Sequence, residues 1–311
     1  MSESDGLAET DEETAPVSQA FIGLSDIVIN AIYENLVIPT SLFHYTSAQG
    51  LLGIIGENKL WFSDAAFMND GSESTYGVVL AGTVIDDLLA DSSAEEKNAG
   101  NALKSELAVA MNAFQPAIFC MSERNNLLNQ WRDYGKDIVP YSIELDVQSI
   151  MQNQYASFPA FLTKIVYDET IQKQLIRQLL QEIRTKALEI RGDRPLIPES
   201  EAEPLLRGAA AQIVNLVSRF KNPAFAAEEE WRAICFRPLM YNIAQKFRQS
   251  SLGVVPYYEW MVSGGKSKLP IKSATVGPSP YAQVSDLALK QFLYANDYQI
   301  PTYYSTIPLR R

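Results

Sequence analysis

The chain carries a single histidine, His44, set in the block Phe43-His44-Tyr45-Thr46-Ser47. Imidazole offers one donor and one acceptor when neutral, so it can orient a ligand rich in hydroxyls. Far downstream stands Glu228-Glu229-Glu230-Trp231-Arg232. Paired carboxylates beside an arginine serve acid–base work or stabilise a developing cation. A charged sheet face with an ordinary ion pair uses the same residue types. If the strand has begun by Glu228, alternation puts Glu228, Glu230 and Arg232 on one face. Trp231, Ala233 and Cys235 then take the other. Asn69-Asp70-Gly71-Ser72-Glu73 is a turn signal that can close over a pocket, without the spacing of a calcium loop. In Trp131-Arg132-Asp133-Tyr134-Gly135 two aromatics are separated by two residues. They suit a core, or Tyr134 supplies a stacking face.

Several chemistries are excluded. One histidine and two distant cysteines cannot build a zinc site of the usual types. No P-loop, dinucleotide-binding glycine motif or nucleophile elbow is present. Cys120 and Cys235 each lie in an apolar run and are expected to be reduced core thiols. The net charge of −11 argues against a general nucleic-acid-binding surface, while leaving a single nucleic-acid end or loop open as a substrate. No apolar run approaches the ~18–20 residues of a membrane span, and the N-terminus lacks the pattern of a secretory signal. The expectation is a cytoplasmic protein with no membrane partner.

The elements that must position these residues follow from periodicity. Short strands are predicted at 42–46, 60–63, 117–121, 138–145 and 231–236, with extended pieces near 253–262, 271–276 and 302–306. Helical patterns cover 76–90, 102–113, 168–192, 201–220 and 283–295, and Ser47 is a plausible N-cap for a helix through Ile55. The segment 1–20 holds Glu3, Asp5, Glu9, Asp11, Glu12 and Glu13 and no basic residue, the composition of a disordered acidic tail. The remainder, 21–311, reads as a single α+β domain with a helical insertion at about 147–221.

In series, several blocks resemble the bacterial domain-of-unknown-function family 2971. They are F-H-Y-T-S at 43–47, G-L-L-G-I-I at 50–55, L-W-F-S at 60–63, F-M-N-D-x-x-E at 67–73, F-C-M-S at 119–122, W-R-D-Y-G at 131–135 and E-x-E-W-R at 228–232. They continue with L-P-I-K-S-A-T-V-G-P at 269–278 and S-T-I-P-L-R at 305–310. More distantly, a His-Tyr-Thr strand, a helix and an aromatic strand ending in serine resemble the start of ADP-ribosyltransferase-like folds. That resemblance implies a mixed or antiparallel sheet core, NAD as substrate, and a macromolecular acceptor of protein or nucleic acid. It implies that His44 orients the nicotinamide-side ribose and that Glu230 is the late catalytic glutamate, with Glu228 as second acid. Tyr45, Thr46, Trp61, Ser63, Asn69, Asp70, Tyr134 and Arg232 are the further candidates for the NAD site, Trp61, Phe62 or Tyr134 for the nicotinamide stack, and Arg232 or Arg124 for the diphosphate. A toxin or antiphage effector is the role the resemblance implies. His44 and Glu230 are expected on adjacent strands, lining one cleft. The alternatives are a non-catalytic nucleotide- or protein-binding module, and a metal-dependent nuclease using Asp70, Glu73 and Glu228.

Overall fold

A computed structural model describes residues 19–67, 73–114, 116–134, 138–152, 156–236, 241–250, 253–265 and 267–308. The acidic segment expected at 1–20 falls almost entirely outside them, as do Asn69 and Asp70. Along the chain come α1 (Leu24–Tyr33), β1 (Ser41–Thr46), α2 (Ala48–Glu57), β2 (Leu60–Asp64), α3 (Glu73–Leu89) and α4 (Ala94–Phe114). Then follow β3 (Ala117–Ser122), α5 (Leu128–Asp133), β4 (Tyr141–Asp146), α6 (Val147–Met151), β5 (Phe161–Lys164), α7 (Glu169–Arg191) and α8 (Glu199–Val217). A 3-10 turn (Pro223–Glu228) leads into β6 (Glu230–Cys235), β7 (Lys246–Ser250), β8 (Gly253–Trp260), β9 (Ile271–Val276), α9 (Ala282–Ala295) and β10 (Thr302–Tyr304). None of the described helices is long and apolar enough to cross a membrane.

The chain divides into two compact units. The helical unit gathers three separated segments that carry α1, α3 with α4, and α7 with α8. Its core is aliphatic: Leu175, Ile176 and Leu179 of α7 are buried with Ala210, Ile213 and Val214 of α8 and Val84 of α3. The α7 pattern is the predicted amphipathic one, and Asp168 caps it by accepting from the amides of Thr170 and Ile171. The expected insertion at 147–221 covers only part of this unit, and its first portion, α6 and β5, belongs to the sheet unit instead. Local pattern identifies a helix but does not say which distant helices share its core.

In the sheet unit the ten described strands form one mostly antiparallel sheet, so the class is α+β. One path runs β10-β9-β4-β1-β3-β2-β8-β7, with β10 parallel to β9, and β6 and β5 branch from β3. Strand β3 is the junction. One of its edges pairs with β6 along its whole length, from Ala117↔Cys235 to Ser122↔Glu230. Its other edge is shared. Near one end β2 pairs through Ser63↔Ile118 and Asp64↔Ala117; at the other β1 pairs through Phe43↔Ser122. The sheet therefore forks, with a β1-β4-β9 wing and a β2-β8-β7 wing leaving the same edge of β3.

Directly opposed residues in a ladder point to the same face. Cys120↔Arg232 and Ser122↔Glu230 are on one face of the β3–β6 pair, and Phe119↔Ala233 and Met121↔Trp231 on the other. Behind the sheet Phe62 packs edge-on against Phe158 at 5.2 Å and alongside Phe119 at 5.7 Å, with Trp260 closing the cluster. That aromatic core holds the junction strands in place beneath the fork.

Candidate active site

A cleft of about 500 Å³ opens at the fork, within the sheet unit. Its volume falls in the range of ~300–1,000 Å³ usual for small-molecule sites. Strands β1, β2, β3, β6 and β7 line it, with the start of α2, the end of α5 and the 3-10 turn. Helix α2 begins where expected, Ser47 accepting from the amide of Gly50 at 3.1 Å. It lies tightly on the cleft wall because it presents glycines there. A Cβ at Gly50 would meet the Thr46 hydroxyl oxygen at 2.0 Å, and one at Gly53 the Trp61 ring at 2.1 Å.

His44 spans the fork. Its Nδ1 lies 2.8 Å from the carbonyl oxygen of Cys120 on β3. A carbonyl only accepts, so Nδ1 carries the proton, and the neutral ring keeps Nε2 as an acceptor. Burial, reinforced by the positive charge of Arg248 and opposed by the Cys120 bond, lowers the histidine pKa from 6.5 to about 4. The imidazole is thus uncharged at neutral pH. Phe119 stacks on it, centroids 4.3 Å apart.

The carboxylates reach the cleft differently from the alternation expected. The strand begins at Glu230, not Glu228. Glu228 ends the 3-10 turn, and Glu229 takes a left-handed φ of 47°, uncommon for a side chain larger than glycine. The turn is pinned by the Ser122 hydroxyl, which donates to the Glu228 carbonyl at 2.7 Å, and by the Glu123 amide, which donates to the Glu229 carbonyl at 3.1 Å. Glu229 pairs with Arg124 at 3.1 Å, while Glu228 and Glu230 both line the cleft. Glu230 meets Arg232 in a two-pronged pair, Oε1 to Nε at 2.8 Å and Oε2 to Nη2 at 3.2 Å. Their side chains are 3% and 4% exposed, so this ion pair is desolvated and its geometry has to be good to be tolerated.

His44 and Glu230 therefore both line the cleft, but they are not on adjacent strands, because β3 lies between β1 and β6, and the Phe43↔Ser122 pair puts His44 in register with the Phe119 face and not with the Glu230 face. Thr46, Trp61, Ser63 and Tyr134 also line it. The Tyr134 hydroxyl is 3.5 Å from the Glu228 carboxylate. Tyr45 lines the cleft too, but its hydroxyl is committed, donating to the Arg124 carbonyl at 2.8 Å and accepting from the Leu127 amide at 2.9 Å. Burial pushes its pKa up to about 12, so Tyr45 organises the loop before α5. Arg232 does not line the cleft, and Arg124 is exposed and paired with Glu229. Neither diphosphate candidate faces the site. Arg248 on β7 does, and nothing in the local sequence pattern singled it out.

Cys235 is buried, with its thiol pKa pushed up to about 12 by burial. Cys120 departs from the expected core position: it is half-buried and lines the cleft. A thiol reagent is expected to modify Cys120 in the native protein and to reach Cys235 only on unfolding. Mass mapping after brief labelling checks this, and equal labelling of both would contradict it.

Fold and site define an α+β protein whose forked sheet opens onto a polar cleft, with a neutral histidine and two carboxylates inside. Residues 130–233, the stretch from α5 to β6, match the model of a protein family of unknown function, DUF2971. No curated protein and no solved structure matches the chain.

Proposed function

We propose that the cleft binds NAD and that Glu230 assists cleavage of its nicotinamide–ribose bond, the ADP-ribosyl group passing to a macromolecular acceptor or to water. The single observation carrying this reading is that His44, Glu228 and Glu230 all line one cleft of about 500 Å³. When the glycosidic C–N bond breaks, its electron pair leaves with nicotinamide and positive charge builds on the ribose. A fixed carboxylate facing that charge lowers the barrier, as in glycoside cleavage. The acceptor's oxygen or nitrogen then bonds to the ribose carbon and loses its proton. Glu228, with the Tyr134 hydroxyl beside it, is suited to take that proton. The Nε2 of His44 accepts from a ribose hydroxyl and fixes the sugar's orientation. On this reading the fork is the ligand-binding feature of an ADP-ribosyltransferase-like sheet.

The test is incubation of the full chain with labelled NAD, with separate readouts for free nicotinamide and for label on protein, DNA and RNA. Nicotinamide release with label on one acceptor supports transfer, and release alone supports hydrolysis. NAD bound but never cleaved would leave a nucleotide-binding module. Folded protein that neither binds nor consumes NAD would falsify the reading.

A further inference from the structure

Arg248 is the one cation among the described residues lining the cleft. Its Nη2 donates to the Ser63 hydroxyl at 2.9 Å, while its Nε is buried without a hydrogen-bond partner. No carboxylate pairs with it among the described residues. Burial lowers its pKa, and it repels a proton from His44. A guanidinium held this way is short of acceptors, which is costly until an anion supplies them.

Trp61, on the same face, is short of an acceptor in the same way. Ser63 stands opposite Tyr257, and Tyr257 opposite Lys246, so Arg248, two residues on from Lys246, shares its face with Ser63 and with Trp61. The indole Nε1 of Trp61 is also buried without a partner. The β2-β8-β7 wing thus lines the cleft with Trp61, Ser63 and Arg248; the Trp61 Nε1 and the Arg248 Nε are buried behind that wall without partners. Glu228, Glu230 and Asp133 line the same cleft and carry the opposite sign. An anion is drawn to the arginine end and repelled from the other. A carboxylate has two oxygens, which the guanidinium fork alone would occupy. A diphosphate has enough oxygens to reach Trp61 and Ser63 as well.

We propose that Arg248, Ser63 and Trp61 form a diphosphate subsite that takes the bridging phosphates of a nucleotide. The identity of the rest of the ligand rests on the NAD reading; the subsite itself does not. Applied to NAD, it sets the direction of binding, with the diphosphate on β7 and the nicotinamide riboside toward Glu230.

Calorimetric titration of the full chain with ADP-ribose, ADP, pyrophosphate and adenosine tests this. ADP-ribose and ADP are expected to bind, adenosine at least about 10-fold more weakly, and pyrophosphate to compete with ADP. Arg248→Gln is expected to weaken ADP and ADP-ribose by about 10- to 100-fold, the loss of a charge-assisted contact, and to erase their advantage over adenosine. Arg248→Lys should recover part of the affinity. The lone histidine gives a readout that a folding defect would not imitate. ADP neutralises the charge beside His44, so the His44 NMR titration midpoint should rise on binding in the wild type and not in Arg248→Gln. Equal ADP affinity in the variant, adenosine binding as tightly as ADP, or no competition from pyrophosphate overturns the subsite. Arg248-dependent binding of ADP-ribose without NAD cleavage removes the activity and leaves the subsite. NAD cleavage with a KM indifferent to Arg248→Gln does the reverse.

Discussion

Glu230→Gln is expected to slow nicotinamide release from NAD by about 10²-fold or more while leaving ADP-ribose affinity nearly unchanged. The amide keeps the shape of the side chain and removes the charge that, on the NAD reading, faces the developing ribosyl cation, and deleting one such preorganised group commonly costs about 10²–10³ in rate. The structure adds a second consequence. Arg232, only 4% exposed, loses the carboxylate it grips with both Nε and Nη2. Removing one charge of a buried pair is destabilising, by up to about 3–5 kcal/mol. The variant should therefore melt lower as well as turn over slowly, and the two effects need separating. Glu230→Gln combined with Arg232→Gln removes both charges and should return part of the stability without returning any activity. Thermal melts and nicotinamide release measured on the same preparations decide it. If activity recovers along with stability in the double variant, Glu230 is a structural partner of Arg232 and not the catalytic carboxylate.

The parts of this site that were legible in the sequence are those set by local pattern. His44 stands out by its block, and β1, β2, β3 and β6 by dense apolar runs that end as buried strands. Helix α7 is legible from its apolar stripe. What was not legible is register between distant strands. That β1 and β2 both leave one edge of β3 depends on pairings such as Phe43↔Ser122 and Ser63↔Ile118, which no local periodicity encodes. The role of His44, a side chain bonding to the Cys120 carbonyl at the fork, follows from that register. Strand β7 was missed because Lys-Phe-Arg-Gln-Ser lies at the sheet edge with Lys246, Phe247 and Gln249 exposed, so no apolar alternation marks it. Arg248 went with it. The available signal was proximity, since a strongly patterned strand starts three residues after Ser250. Strand β5 escaped because four residues are too few to show a period. The Glu228–Glu230 alternation failed for a different reason: the left-handed backbone at Glu229 overrides it, yet delivers both carboxylates to the cleft by a turn.

Acidification from pH 7 toward 4 is expected to destabilise the wild type more than a His44→Asn variant, by up to roughly 3 kcal/mol. The folded-state pKa of His44 is about 4, against 6.5 for the free side chain. Between those values the unfolded chain takes up the proton and the native protein does not, so stability is fully present above about 6.5 and is lost as pH falls toward 4. Each pKa unit is worth about 1.4 kcal/mol, which sets the upper bound. Asparagine places an amide donor near the position of Nδ1, so the bond to the Cys120 carbonyl can persist while the titration disappears. Asp64, whose carboxyl pKa is raised by burial, titrates in both proteins and cancels in the difference. Denaturant unfolding at pH 7 and pH 4.5 measures the gap, and parallel pH profiles for the two proteins would sink the assignment. On the NAD reading the same proton also bears on ligand binding. Protonation turns Nε2 from an acceptor into a donor and puts a second positive charge near Arg248. A ribose hydroxyl held by Nε2 would then have to accept where it had donated, as the fork itself weakens. Because an anion bound at Arg248 raises the His44 midpoint, ADP should bind more tightly as His44 protonates, and His44→Asn should flatten that dependence along with the stability profile.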